Sequence, residues 1–229
     1  MPLVIAHRGA SAYEHENSLA AFRASMHMGS DGVELDIHVT ADGVPVVHHD
    51  PALGGRRIAE VAFGALEQHQ LPNGEQIPTL DQALGVLGIE QLVFVEVKDL
   101  PAEHDQRVLD ALVNGPAPTN YQIHAFDHRI VRRLRERSPE LRCGVLSCSY
   151  ALRPFVPLLD VGANVLWQRE ELVDAELIEE GRAMGLRVFA WTTDDPERIG
   201  ELMEMGVDGV CTNKPDVARR LVGPATPST

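Results

Sequence analysis

Two short stretches near the N-terminus carry residue types that could do chemistry: IAHRGA at residues 5–10 and GVELDIHVTADGVPVVHHD at residues 32–50. They set His7, Arg8, Glu34, Asp36 and the adjacent pair His48 and His49 at the ends of short apolar runs, and FVEVK at 94–98 adds Glu96 and Lys98 in the same way. A strand alternates its side chains, so Glu34 and Asp36 point to one face while Val33, Leu35 and Ile37 point to the other. Two acids on one strand face repel unless something positive lies between them. A divalent cation is the simplest such partner. Three carboxylates, with no cysteine or histidine pair at metal spacing, favour a hard cation such as Mg²⁺ or Ca²⁺ over zinc, with Mn²⁺ a further candidate. The set reads as a metal site built to handle a phosphate.

The elements that must position these residues follow from the rest of the chain. Short β-like runs alternate with amphipathic helical segments almost from end to end, the pattern of parallel β/α units. Candidate strands are Leu3–Ala6, Gly32–His38, Leu92–Val97, Tyr121–Ala125, Arg142–Leu146, Asn164–Trp167, Arg187–Trp191 and Gly209–Cys211. Eight such units in one chain predict an α/β fold of the (β/α)₈ TIM-barrel type, whose chemistry sits at the C-terminal ends of its strands. An open, doubly wound sheet is the rival, but HRGASAYEHENS after the first strand lacks the glycine spacing of a nucleotide loop. Asp42-Gly43 between two apolar runs predicts a β-hairpin after the second strand. The Gly-, Gln- and Pro-rich stretch 51–78 is expected to pass over the barrel mouth. One domain over residues 1–223 is expected, with a frayed tail at 224–229.

Composition narrows the function. The net charge of −14 argues against nucleic acid or an anionic membrane surface as partner, since either would need a basic face. No apolar run approaches the roughly 20 residues of a membrane span, and the first strand begins too early to leave room for a signal peptide. A cytoplasmic protein, monomer or homodimer, acting on a small anionic molecule is the expectation. Cys143, Cys148 and Cys211 are too scattered for a disulfide framework or a thiolate zinc site and read as buried free thiols.

Taken together, AHRGA, ENSLAAF, GVELDIHVTADGVPVVHHDP, FVEVK, FAWTTDD and GVDGVCTNKPD, in that order along most of the chain, resemble the glycerophosphodiester phosphodiesterase family. The resemblance implies a (β/α)₈ barrel that uses a divalent metal to hydrolyse glycerophosphodiesters to glycerol 3-phosphate and an alcohol. Carried onto the matching positions, it makes His7 and His49 the general acid/base pair. Glu34, Asp36 and Glu96 become metal ligands, and Arg8 and Lys98 hold the phosphate. Of the two neighbouring histidines, which should face opposite ways on a strand, the resemblance selects His49 and leaves His48 structural. Trp191 could form an apolar wall for the substrate, whereas Phe126 reads as core packing. Glu16 and Asn17 either orient the ligands or open the first helix, with Asn17 as its cap. The remaining histidines, His124 among them, show no metal spacing.

The chain departs from the family pattern in three places. PALGGRRIAEVAFGAL at 51–66 replaces an Arg-Thr-Thr-like stretch, TTDD follows Trp191 where an asparagine is usual, and Asn213 stands where an aspartate is common. The last two departures fall outside the metal and proton-transfer set and bear on the leaving group. Rival activities are a lysophospholipase D or phospholipase-like cyclising enzyme working on lipid, and a non-catalytic binder of phosphorylated small molecules. The retained pair of histidines with three acids disfavours the binder, because binding alone requires no proton transfer.

Overall fold

The computed structural model describes residues 1–223, so the expected tail at 224–229 lies outside the described residues. Eight parallel strands close into a ring: β1 (Leu3–His7), β2 (Gly32–Val39), β6 (Leu92–Val97), β7 (Tyr121–His124), β8 (Arg142–Ser147), β9 (Val165–Arg169), β10 (Arg187–Trp191) and β11 (Gly209–Thr212). Pairing of β1 with both β11 and β2 completes the closure, so the open sheet is excluded. β3 (Pro45–Val47) folds back antiparallel on β2 with Ile37 opposite Val47, as the Asp42-Gly43 turn predicts. β3 stops at Val47, which places His48 and His49 on the loop beyond it and not on a strand with opposed faces.

The barrel strands are buried on both sides, which is why they read as near-continuous apolar runs. Their outward residues, such as Val33, Leu35, Val93 and Val95, join the helices in one core. Inside, Ile5, Phe94, Leu146, Val165, Trp167, Phe189 and Cys211 form a second, closed cluster. Phe94 and Phe189 meet Trp167 edge-on, with ring centroids 5.2 and 5.0 Å away. Three glycines make room for these rings: a Cβ on Gly32, Gly144 or Gly209 would come within 3.0 Å of Phe94, Trp167 or Phe189 respectively. At interior packing density such overlaps are not tolerated, so small and large residues alternate around the barrel.

The surrounding helices are α1 (Leu19–His27), α3 (Leu80–Leu87), α4 (Asp105–Asn114), α5 (His128–Arg137), α6 (Val156–Val161), α7 (Ala175–Ala183), α8 (Pro196–Met205) and α9 (Pro215–Val222). Their starts are set by side-chain caps: Ser18 accepts from the Ala21 amide, Asp127 from Arg129, Asp174 from Leu177, and Thr79 forms a reciprocal box with Gln82. Ser18, and not Asn17, caps α1. The stretch 51–78 holds the two-residue strands β4 (Ala52–Leu53) and β5 (Arg56–Arg57) and the short helix α2 (Phe63–Leu66), with Val46, Ile58, Leu66 and Ile77 as a small core of its own. Cys143 and Cys211 are buried, but Cys148 is exposed because it falls on the loop after β8. No helix among the described residues is long and apolar enough to cross a membrane.

Candidate active site

His7 ends β1, Glu34 and Asp36 lie on β2, Glu96 is the penultimate residue of β6, Lys98 follows it, and Trp191 ends β10. Register brings them together at the C-terminal rim. His7 is level with Glu34, Asp36 with Glu96, and Glu96 with His124 on β7. His7, Glu34, Glu96, His124 and Trp191 line one pocket whose floor is Trp167. A wider groove bounded by Val44, Asp81, Arg107 and Asn114 contains none of these groups.

Glu34, Glu96 and His124 each offer a ligand atom within 4.8 Å of the others. His124 escaped the sequence analysis because its partners come from neighbouring strands. Its one local signal is that it ends a strand, as His7 does. Its ring stacks on Trp167 at 4.4 Å between centroids, and its Nδ1 has no hydrogen-bond partner among the described residues. Burial pushes this imidazole down to about 3, so it is a neutral donor at neutral pH.

Asp36 is fully buried between two cations, with Arg8 Nε 3.0 Å from Oδ2 and Lys98 Nζ 2.9 Å from Oδ1. Asn17 grips it from a third side, its Nδ2 donating to Oδ2 at 2.8 Å. Burial opposes the charge on Asp36, but Lys98 and Arg8 outweigh it and hold the carboxyl down to about 2. Glu34 goes the other way. Burial, then the charges of Asp36 and Glu96, push it well above the usual carboxylate range. Glu96 is raised to about 7 by burial and Asp36, although Lys98 Nζ lies 2.7 Å from its Oε1. Three buried carboxylates thus face two mostly buried cations, and burial together with this shortfall of positive charge makes Glu34 and Glu96 the two that resist ionisation.

Arg8 owes its position to backbone strain. It sits at φ 56°, and Asn17 at φ 55°, in the left-handed region that non-glycine residues seldom enter. The Asn17 amide donates to the Arg8 carbonyl at 3.0 Å, tying the two together. Gly9 follows at φ 81°, where a Cβ would lie 2.7 Å from the Ala21 backbone. Nη1 is held by Glu16 at 2.8 Å and Nε by Asp36 at 3.0 Å, which leaves the Nη2 end of the guanidinium outside these two contacts.

His7 Nε2 lies 4.0 Å from Glu34 Oε2 and its Nδ1 is 2.7 Å from Asn213 Oδ1. Burial and the Arg8 charge push this ring down to about 4. Asn213, set apart from the proton-transfer candidates by sequence, therefore touches one of those candidates. His49 is half-buried on the loop after β3, with Nδ1 2.9 Å from Asp50 Oδ1. His48 donates its backbone N–H to the Asp36 carbonyl at 3.0 Å, and its ring is half-buried. Trp191 meets Phe126 edge-on at 5.6 Å, and its indole Nε1 has no partner among the described residues. Phe126 is 46% exposed, which corrects its reading as a core residue.

These shifts give a signed pH dependence. Glu96 keeps its proton to higher pH when folded than when unfolded, so with its raised pKa it withdraws stability as pH rises from the ordinary 4.5 through about 7. Glu96→Gln removes that loss. With chelator present, the melting temperature of the variant minus that of the unaltered chain should climb across this window and then level. A flat difference would show that Glu96 ionises as freely folded as unfolded.

Comparison with known proteins agrees with the geometry. A family model described as the glycerophosphoryl diester phosphodiesterase family matches residues 7–217. A glycerophosphodiester phosphodiesterase of Caldanaerobacter subterraneus is 31% identical, covering 96% of this chain and 97% of its own. Among solved structures, an Oleispira antarctica phosphodiesterase in complex with the product sn-glycerol-3-phosphate superposes with a TM-score of 0.89 at 24% identity, over 97% of both chains. A glycerophosphodiester phosphodiesterase from Thermotoga maritima superposes with a TM-score of 0.81 at 25% identity, over 96% of this chain and 99% of that one. The chain belongs to the glycerophosphoryl diester phosphodiesterase family and is a phosphoric diester hydrolase.

Proposed function

We propose that the chain hydrolyses glycerophosphodiesters to glycerol 3-phosphate and an alcohol, using a divalent cation held by Glu34, Asp36 and Glu96 with His124 beside them. The observation that carries this reading is the cluster of Glu34, Glu96 and His124 at one strand-end pocket, where burial, then neighbouring negative charge, makes both glutamates harder to ionise. The His124 imidazole and the carboxylates of Glu34 and Glu96, with Asp36 alongside, are the donor set such an ion fits. Carboxylates dominate it, which suits Mg²⁺ or Ca²⁺, and the imidazole adds Mn²⁺ to the candidates. The ion, when bound, would supply positive charge for the phosphoryl oxygens.

The chain's own residues do the rest. Arg8 Nη2 and Lys98 Nζ face the phosphate, whose equatorial oxygens gain charge as the nucleophile attacks. Fixed cations there lower the barrier because they need not reorganise. Cleavage also requires one proton to leave the nucleophile and one to reach the departing alkoxide, the work assigned to His7 and His49. Trp191 and Phe126 give the pocket an apolar edge against the substrate's carbon skeleton.

The test is product release from glycerophosphocholine and glycerophosphoethanolamine, followed as glycerol 3-phosphate and the free alcohol. Release of both products supports the reading; phosphocholine or phosphoethanolamine as the product would show cleavage of the other ester bond and contradict it. A second comparison separates the neighbouring histidines. His49→Ala should lower turnover by about 10²-fold or more, whereas His48→Ala should retain most activity. The reverse ranking would assign the proton transfer to the wrong ring.

A further inference from the structure

The two sequence departures at 194 and 213 are the two ends of one contact. Asp194 follows β10 and Asn213 follows β11, side by side on the barrel rim. Asp194 Oδ1 accepts from the Asn213 backbone N–H at 2.7 Å and from the Thr212 hydroxyl at 2.8 Å, while Oδ2 accepts from Asn213 Nδ2 at 2.8 Å. An ionised carboxylate can only accept. The amide nitrogen of Asn213 must therefore face Asp194, and its carbonyl oxygen must face away. That oxygen lies 2.7 Å from His7 Nδ1 and 2.8 Å from Ser11 Oγ, the hydroxyl also lying 2.7 Å from the His7 carbonyl oxygen. An amide oxygen likewise can only accept, so the His7 ring must donate from Nδ1.

We infer that Asp194, acting through Asn213, fixes the tautomer of His7 with its proton on Nδ1, leaving Nε2 bare beside Glu34 and the pocket. Asp194 and Asn213 are positioning residues: neither lines the pocket, and both act by choosing which nitrogen of His7 is free. A bare Nε2 makes His7 the acceptor of the first proton and leaves donation to the alkoxide to His49. The assignment deepens the proposed function and rests on it for the meaning of the proton, though not for its location.

The discriminating variant is Asp194→Asn, which keeps size and shape. An asparagine at 194 would still accept from the Asn213 amide and Thr212 through its oxygen, but its NH₂ would then meet the NH₂ of Asn213. Asn213 must turn over, and its nitrogen would donate to His7 Nδ1. Long-range ¹H–¹⁵N NMR should find the His7 proton on Nδ1 in the unaltered chain and on Nε2 in Asp194→Asn. The variant's kcat should fall by about 10–100-fold with KM within about two-fold. Asn213→Asp opposes two carboxylates across 2.8 Å and should lose activity as well. The exchange Asp194→Asn/Asn213→Asp rebuilds a donor facing an acceptor and should return the proton to Nδ1 and turnover to within about three-fold of the unaltered chain. A proton on Nε2 in the unaltered chain, an unmoved tautomer in Asp194→Asn, or a double exchange no better than the single variants would each overturn the inference. Absence of any glycerophosphodiester turnover by the unaltered chain would remove the functional reading instead, and the NMR would still decide this one.

Discussion

Replacing His7 by alanine is expected to lower kcat for glycerophosphodiester hydrolysis by about 10²–10⁴-fold while the barrel stays folded. His7 is the last residue of β1, and its ring is bound by one side-chain partner, Asn213, on the rim. Its backbone contributes to pairing with β2, which alanine preserves. Burial beside Arg8 keeps the ring neutral, which is the form able to take a proton. The phosphate contacts assigned to Arg8 and Lys98 do not pass through His7, so KM should move far less than kcat. Steady-state kinetics together with a thermal melt check this. A variant that melts normally and turns over at more than a tenth of the original rate would mean that another group carries the proton.

The second large effect separates two carboxylates that share one strand face. Asp36→Asn should destabilise the ion-free protein by about 3 kcal/mol, because it strips the common counter-charge from Arg8 and Lys98, both mostly buried. In a barrel of this size that is a fall of roughly 6–12 °C in melting temperature. Glu34→Gln should have the opposite sign. Burial, then the charges of Asp36 and Glu96, make Glu34 harder to ionise in the folded chain than in the unfolded one, and a glutamine oxygen can still accept from the Arg8 amide, as Glu34 Oε2 does at 3.1 Å. Removing an ionisation that folding opposes therefore favours the folded state at neutral pH, and the melting temperature in chelator should rise there while turnover is lost. The sign of the pH dependence follows. The Asp36 contribution is complete above the ordinary 3.8 and is lost as pH falls toward about 2. Melting curves of both variants in chelator decide it, and equal destabilisation by the two would contradict the charge distribution described here.

The barrel itself was legible because each strand is buried on both faces and so stands out as a short apolar run ended by a charged or aromatic residue. Leu92–Val97 and Arg187–Trp191 match the expected bounds; β1, β2, β8, β9 and β11 run a residue or two further at the rim, as His7 does on β1, while β7 stops one residue short, at His124. The acids of β2 were legible for a local reason: Glu34 and Asp36 interrupt such a run with period two. His124 was not, since its relation to Glu96 is a pairing of neighbouring strands that no spacing in the chain encodes. The link from Asp194 through Asn213 to His7 joins the loops after β10 and β11 to the last residue of β1, and the sequence shows only two unusual letters far apart. His48 and His49 were given strand alternation because Pro45–Val47 resembles a longer run, and the ladder ends before reaching them. Phe126 read as core because aromatic residues after strands are commonly buried, yet here the ring stands at the rim against Trp191.

The most direct test of the central claim, that carboxylates from β2 and β6 assemble one cation-dependent phosphodiesterase site with His7, is a single titration. Chelator-treated protein is given increasing Mg²⁺, Ca²⁺ or Mn²⁺, and its melting temperature and its release of glycerol 3-phosphate from glycerophosphocholine are followed together. The account predicts that for at least one ion both rise over the same concentration range in the unaltered chain, and that neither rises in Glu34→Gln. Full turnover in chelator, or an ion response that survives Glu34→Gln unchanged, would contradict it.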